Sequence, residues 1–236
     1  MKYTFRKYSG PALLSLALVV GAAPANAPSF ENEQLRYNVN WPSGLSLGEA
    51  ELAASTTKST AQKLHLAFDL NAAVPSFSVS DRYRSETSSE FCSAEFERSA
   101  SHGRKKTDEK TTFDQQSGTA TRQTTGGGKS ELKIPQCGRD ALAFLYYARY
   151  ELGQGRIPPP QTVFFGAPYE VRLEFAGTQS IRVGDKQVDA DRVTASVRGP
   201  ASGISFDVFF LKDRARTPAL VRVPLALGTF SMELVR

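Results

Sequence analysis

One segment of the chain has the spacing of an α-helix, and almost everything around it has the spacing of β-strands. The helical segment extends from Cys137 to Leu152. Asp140 lies near its start, where a carboxylate favours the positive end of the helix dipole, and Gly153 follows as a natural stop. The apolar residues recur at steps of three and four, which gathers them in one stripe: Ala141, Leu142, Phe144, Leu145, Ala148 and Leu152. A lone helix with one apolar stripe in a β-rich chain has to pack that stripe on a sheet.

The segments on both sides of the helix alternate between apolar and polar residues, which indicates strands with one buried face. The pattern is clearest at residues 35–41, 64–70 and 169–175. Short turns such as Gly184-Asp185 separate the segments, and the βαβ alternation of parallel sheets is absent. The sequence therefore predicts a mostly β fold, in which a large antiparallel sheet curls into a barrel or half-barrel with one α-helix packed against it.

Residues 97–133 differ from the rest in being rich in Ser, Thr, Gln, Lys, Arg, Asp and Glu. Two interpretations are open: a polar β-meander, or an insertion with little regular structure. Thr111, Phe113 and Thr121 suit strands, so the meander is favoured. Gly126-Gly127-Gly128 is a flexible joint within it.

The first residues have the pattern of a secretory signal peptide. Lys2, Arg6 and Lys7 precede an apolar run over residues 12–20, and small residues follow at 23, 25 and 27. We expect cleavage after Ala25, with Ala27 as the alternative, so that residues 26–236 form a single β-rich domain. The apolar run is too short to span a bilayer, and no transmembrane span is expected after processing.

The basic character of the sequence comes largely from this leader. The leader contains three of the Lys and Arg residues and no acid, so its removal lowers the formal charge from +5 to +2. A nucleic-acid-binding domain would need a basic stripe on the mature protein. The composition therefore argues against nucleic acid as a partner.

Cys92 and Cys137 are the only cysteines. Two thiols in an exported chain are expected to oxidise to one disulfide. Two buried free thiols are the alternative. The bond would tie the start of the helix to a strand.

The sequence offers few residues for catalysis or metal binding. His65 is expected to point away from the apolar face of its strand, and His102 lies beside Gly103 in a turn. No cluster of Cys, His and carboxylates has ligand spacing, and no Gly-x-Ser-x-Gly motif is present. We therefore predict no catalytic residue, no cofactor and no metal site.

One set of aromatic and cationic residues is a candidate ligand-binding mouth, if the helix lies over the strand that contains Asp81. Arginine supplies forked donors for an anionic group, and tyrosine supplies an apolar body with a polar tip. The alternative is that the tyrosines seal the helix to the sheet and the arginines pair with Asp81 or Asp140. The six residues are Tyr83, Arg84, Tyr146, Tyr147, Arg149 and Tyr150.

Several motifs together resemble one exported bacterial family, known as domain of unknown function 3108. They are Leu35-Arg-Tyr-Asn-Val-Asn-Trp41, Gly48-Glu-Ala-Glu-Leu52, Asp81-Arg-Tyr-Arg-Ser85, the helix Asp140 to Arg149, and Phe210 to Pro218 with a late Gly228. The resemblance covers nearly the whole mature chain. It implies a periplasmic, mostly antiparallel β domain with a helix against the sheet, similar in outline to the incomplete barrels that carry lipoproteins. It implies no known activity and no catalytic residues.

Three functions are consistent with these observations. The first is a non-enzymatic envelope protein whose curled sheet holds or shields a lipid, a lipidated partner or another apolar ligand. The second is a structural or interaction module that contacts the cell wall or another envelope protein through residues 97–133. The third, ranked last, is an envelope hydrolase, for which no nucleophile and base can be named.

Overall fold

The computed structural model describes residues 30–57, 63–74, 77–200, 203–226 and 228–235. The predicted signal peptide, residues 1–25, lies outside these ranges. The described part of the chain forms strands and one helix. The elements are β1 (Glu33–Asn40), β2 (Ser46–Thr57), β3 (Lys63–Val74), β4 (Phe77–Ser88), β5 (Ser93–His102), β6 (Lys105–Asp114), β7 (Thr119–Thr124), β8 (Lys129–Lys133), β9 (Arg139–Asp140), α1 (Ala141–Gly153), β10 (Gln161–Phe164), β11 (Pro168–Val183), β12 (Lys186–Arg198), β13 (Gly203–Leu211), β14 (Pro218–Leu225) and β15 (Gly228–Val235).

All of these strands belong to one 15-stranded sheet, in the order β8-β7-β6-β5-β4-β3-β2-β1-β15-β14-β13-β12-β11-β10-β9. Consecutive strands from β1 to β8 and from β10 to β15 pair antiparallel, and β1 also pairs antiparallel with β15. The short β9–β10 pair is parallel. The sheet is curled, and β8 and β9 stand at its two ends, so it is not closed into a barrel. The predicted fold class is therefore confirmed.

Residues 97–133 lie in strands β5 to β8, each hydrogen bonded to the next. One face of these strands is buried despite the polar composition, and it includes Thr111, Phe113 and Ala120. The ring of Phe113 packs edge-on against Phe164 of β10, with 5.8 Å between centroids. The β10 end of the sheet therefore lies against β6, and the two ends of the curled sheet overlap.

The overlap is fastened at a contact that we call the seam, formed by Cys92, Ser93, Gln115, Cys137 and Gly138. The Ser93 amide donates to the carbonyl oxygen of Gly138 over 3.1 Å. The Gln115 side chain donates to the carbonyls of Ser93 and Gly138 and accepts from the Gly138 amide. The disulfide between Cys92 and Cys137 spans the same contact and confirms the predicted bond. The seam joins the turn between β4 and β5 to the segment that enters the helix.

The helix begins immediately after the seam. Asp140 is its N-cap, since one carboxylate oxygen accepts from the amides of Leu142 and Ala143. The helix starts at Ala141 and not at Cys137, because Cys137 has a left-handed backbone (φ 57°) that a helix cannot contain. The chain then forms the two-residue strand β9 before the first turn.

The helix is buried on more than the single predicted stripe. Leu142 and Tyr146 pack into the main core, whereas Phe144 contacts Val163 and Val171. At the other end Leu152 joins a cluster with Val193, Val208 and Phe210 of β12 and β13. The helix is enclosed because the sheet curls around it, so residues on several of its faces meet strands.

Candidate functional site: an apolar cavity beside the helix

A cavity of about 500 Å³ lies between α1 and the second half of the sheet. Ala141, Phe144, Leu145 and Ala148 form the helical wall. These residues are spaced by three, four and seven positions, so they lie on one face of the helix. Two of the four are alanines, whose small side chains leave room beside the helix.

The opposite wall is formed by rows of apolar residues that cross strands β11 to β15. Residues paired directly across an antiparallel ladder lie on the same face of a sheet, so each row presents its side chains together. The rows that line the cavity are Val171–Val197–Ile204, Leu173–Ala195–Phe206 and Val193–Val208–Val221–Met232. This wall is the apolar face that period-two spacing predicted for these strands.

The described residues that line the cavity carry no charge, and the only side-chain polar groups among them are two tyrosine hydroxyls. The Tyr37 hydroxyl donates to the carbonyl oxygen of Pro218 over 2.9 Å. Burial raises the pKa of Tyr37. The other hydroxyl belongs to Tyr169, at a half-buried position. The chemistry of the walls therefore suits a hydrocarbon and offers nothing to a charged group.

The cavity reaches solvent along part of the sheet wall. Leu173, Phe206 and Met232 are half-buried, and Ile204 is 38% exposed. By contrast, Val193 and Ala195 in the middle of the wall are almost fully buried. The most exposed part of this wall is therefore at Ile204, near the start of β13.

None of the six residues predicted to form a ligand-binding mouth lines this cavity. Tyr83 packs behind two residues that line the cavity. Its ring stacks on Phe68, with 5.7 Å between centroids, and meets Phe165 edge-on at 5.1 Å. Burial raises the pKa of Tyr83. Arg84 lies on the other face of β4, where one guanidinium nitrogen donates to both carboxylate oxygens of Asp69 over 2.8 and 3.0 Å.

Tyr146 and Arg149 are both fully buried and share one partner, Glu33. The Tyr146 hydroxyl donates to Glu33 over 2.9 Å, and two guanidinium nitrogens of Arg149 donate to the Glu33 carboxylate over 2.7 and 2.5 Å. Burial lowers the pKa of Arg149, but the hydrogen bonds and charge of Glu33 outweigh that effect and leave its pKa above the ordinary value. Arg149 also lies over the Phe30 ring at 4.6 Å. This network fastens the helix to β1.

Tyr147 and Tyr150 lie at two further places. Tyr147 stacks under the guanidinium of Arg139 at 3.8 Å, and Tyr150 contacts Phe91 at 5.9 Å. The structure thus divides the six residues among separate contacts and does not bring them into one opening.

The acids expected to pair with the two arginines have other partners. The Asp81 carboxylate lies 2.8 Å from the His102 ring, and Asp140 accepts from the hydroxyls of Ser85 and Ser93 over 2.6 Å each. Burial raises the pKa of Asp140, and its hydrogen bonds act in the opposite direction. Arg84 pairs with Asp69 on the neighbouring strand, and Arg149 pairs with Glu33, which faces the helix from the sheet. Sequence spacing alone does not reveal such contacts.

The two histidines lie at the surface, with side chains that are 45% and 48% exposed. His65 contacts Thr57 at 2.6 Å, and His102 contacts Asp81. Over the ranges that the structure describes, no three His, Cys, Asp or Glu residues come together in a way that could hold a metal ion. In the same ranges, no helix combines the length and apolar character needed to cross a bilayer.

Comparison with known proteins identifies relatives in sequence and in fold. Over residues 36–235 the chain matches the family model described as "Protein of unknown function (DUF3108)". No curated protein matches it. It is similar to the crystal structure of a β-barrel-like protein of domain of unknown function DUF1849 from Brucella abortus, with 10% identity and a TM-score of 0.60 over 88% of this chain and 97% of that one.

A second solved structure has a YmcC-like fold and comes from Bacteroides fragilis NCTC 9343. It has 10% identity, and the match covers 89% of this chain and 98% of that chain. Its TM-score of 0.34 is too low to support a comparison of folds. The likeness to the Brucella protein concerns the fold alone. It agrees with the curled sheet described above.

Proposed function

The chain belongs to the DUF3108 family, and we propose that it is a non-enzymatic protein that holds an apolar or amphiphilic ligand in the cavity beside α1. A lipid, an acyl chain or a lipidated partner has the required chemistry. The proposal rests on one observation, the cavity of about 500 Å³ whose described lining residues carry no charge. This volume lies in the range of ligand pockets, roughly 300–1,000 Å³. Each buried methylene group would contribute about 0.8 kcal/mol to binding.

We further propose that the protein acts in the periplasm. The pattern of basic, apolar and small residues over positions 2–27 supports export. The disulfide between Cys92 and Cys137 supports an oxidising compartment, since such bonds persist there and are rare in the cytosol. The ligand would then be an envelope lipid or a lipidated envelope protein.

The direct test is to isolate the protein without detergent from the periplasm of its own host. We expect material that lacks residues 1–25 and that releases an apolar ligand on solvent extraction and in native mass spectrometry. A fluorescent fatty acid should compete with that ligand. Protein that carries no ligand and binds no apolar probe would contradict the proposal.

A cavity-filling variant makes the test specific to the site. Ala195 lies in the middle of the sheet wall, and Ala195→Phe projects a ring into the empty space. We expect this variant to lose probe binding while its melting temperature stays equal or rises, because filling a cavity is stabilising when the ring fits. Ala53→Phe is the matched control, since Ala53 alternates with the buried Leu52 and Ala54 and lies on the other face of β2. Unchanged probe binding in folded Ala195→Phe protein would exclude this cavity as the site.

A further inference from the structure

Three connections between strands lie together at one end of the sheet. They join β1 to β2, β12 to β13 and β14 to β15, and their described residues are 41–45, 199–200 and 226. The antiparallel register fixes this placement, because Asn40 pairs with Ser231, Leu225 with Gly228, and Arg198 with Gly203. The turn that fastens the seam is at the opposite end.

Large apolar side chains are exposed at this end. Leu45 is 66% exposed, Leu225 is 50% exposed, and Ile204 is 38% exposed. The start of β15 packs on the β1–β2 connection: a Cβ atom added at Gly228 would lie 2.7 Å from Pro42. The rings of Trp41 and Phe230 meet edge-on at 4.9 Å. We call these residues the apolar rim: Trp41, Pro42, Leu45, Ile204, Leu225 and Phe230.

The connections next to these residues differ in charge from the β13–β14 connection at the opposite end. The three connections at the rim read Trp-Pro-Ser-Gly-Leu, Gly-Pro-Ala-Ser and Ala-Leu, with no charged residue. The connection between β13 and β14 at the opposite end reads Lys-Asp-Arg-Ala-Arg-Thr, in which most residues are charged. The connections next to the apolar rim therefore present no charge to a partner, although Arg104 and Lys105 lie at the same end of the sheet, where β5 turns into β6.

We propose that the apolar rim docks on the surface of a lipid bilayer, which is the source of the ligand. This inference rests on the proposed function, because Ile204 belongs both to the rim and to the lining of the cavity. An acyl chain that leaves a bilayer stays out of water only if the mouth of the cavity touches the membrane. Trp41 suits the boundary, since an indole ring combines an apolar body with a polar N–H group.

The chain contains its own reporter for this docking. Trp41 is the only tryptophan in the sequence and lies on the rim. With vesicles of phosphatidylethanolamine and phosphatidylglycerol, we expect the processed protein to float with the vesicles and its tryptophan emission to shift to shorter wavelength. Binding should persist at high salt, because apolar contacts and not surface charges carry it.

Substitutions at the rim separate docking from ligand binding. Leu45→Glu and Leu225→Glu should each lower the vesicle partition coefficient about tenfold or more, since burial of a leucine is lost at each position. Neither residue lines the cavity, so both variants should still bind the fluorescent fatty acid in solution. Val235→Glu is the matched control, because Val235 is 44% exposed at the opposite end of β15 and should float like the parent protein.

The outcomes distinguish the two proposals. Protein that binds the probe in solution but neither floats with vesicles nor shifts its emission would overturn the docking proposal and leave the cavity proposal intact. An equal loss of flotation in Val235→Glu protein would also overturn it. Flotation that disappears at high salt would identify the contact as electrostatic and would exclude the apolar rim as its cause.

Discussion

The disulfide between Cys92 and Cys137 stabilises the seam where the two ends of the sheet overlap, and its removal is the sharpest test of this account of the fold. The bond closes a loop of 45 residues that contains strands β5 to β8. The chain-entropy estimate for such a loop is about 4 kcal/mol. The remaining seam contacts, between Ser93, Gln115 and Gly138, do not depend on sulfur. We therefore expect the reduced protein to stay folded and to lose about 2–4 kcal/mol of unfolding free energy.

The choice of replacement matters at Cys137. Its backbone is left-handed, with φ at 57°, and a side chain there costs about 1–2 kcal/mol that glycine does not incur. The double variant Cys92→Ala with Cys137→Gly should therefore be more stable than Cys92→Ala with Cys137→Ala. Comparing the two separates the loss of the cross-link from the relief of backbone strain.

Thermal unfolding followed by circular dichroism measures both effects. For a domain of this size about 2–4 kcal/mol corresponds to a fall in melting temperature of roughly 5–15 °C. The parent protein should show that fall when a dithiol reductant is added, and the double variants should not respond to it. An unchanged melting curve for the reduced parent, with its thiols shown to be free, would refute the view that the bond stabilises the overlap.

Three further predictions concern the polar residues that fasten the helix. Arg149→Met should cost about 3–5 kcal/mol in urea unfolding, because it leaves Glu33, whose side chain is only 12% exposed, without its cation. Adding Glu33→Leu should restore most of that loss, and a double variant no better than the single one would contradict this. Asp140→Ala should cost about 2–4 kcal/mol, because the cap is lost and the hydroxyls of Ser85 and Ser93 lose their acceptor. Burial raises the pKa of Asp140 above its unfolded value, so its contribution to stability is present at low pH and is lost as the pH rises through the folded pKa. Asp140→Asn should remove this decline in unfolding free energy with pH. A parallel decline in the Asn variant would contradict the assignment to Asp140.

The sequence predicts the fold well because the signals for strands and for this helix are local. Alternation identifies most of the strands on both sides of the helix, and Asp140 identifies the first turn of α1. The length of β9 and the start of the helix depend on the left-handed residue Cys137, which no periodicity reveals. The sequence also does not predict that β8 and β9 are the two end strands of the sheet, because this depends on the overlap at the seam.

The candidate site could not be predicted in the same way. Tyr146 and Arg149 look like ligand-binding residues in the sequence, yet Glu33 lies far away in the chain and satisfies both. The residues that do line the cavity, such as Ala195 and Phe206, appear in the sequence only as the apolar half of ordinary strands. Periodicity tells which face of a strand is apolar, but it does not tell whether another element covers that face.

The cavity follows from the mismatch between one short helix and a large curled sheet. A helix of 13 residues is about 20 Å long, and a sheet of this many strands encloses more space than side chains alone can fill. The helix packs closely on one side through Tyr146 and Arg149, whereas Ala141 and Ala148 face the cavity. Close-packed interiors place large side chains at such positions, so small ones there keep the space open. The fold is therefore stabilised at the seam and at Glu33, and the opposite face of the helix is free of that role and available to a ligand.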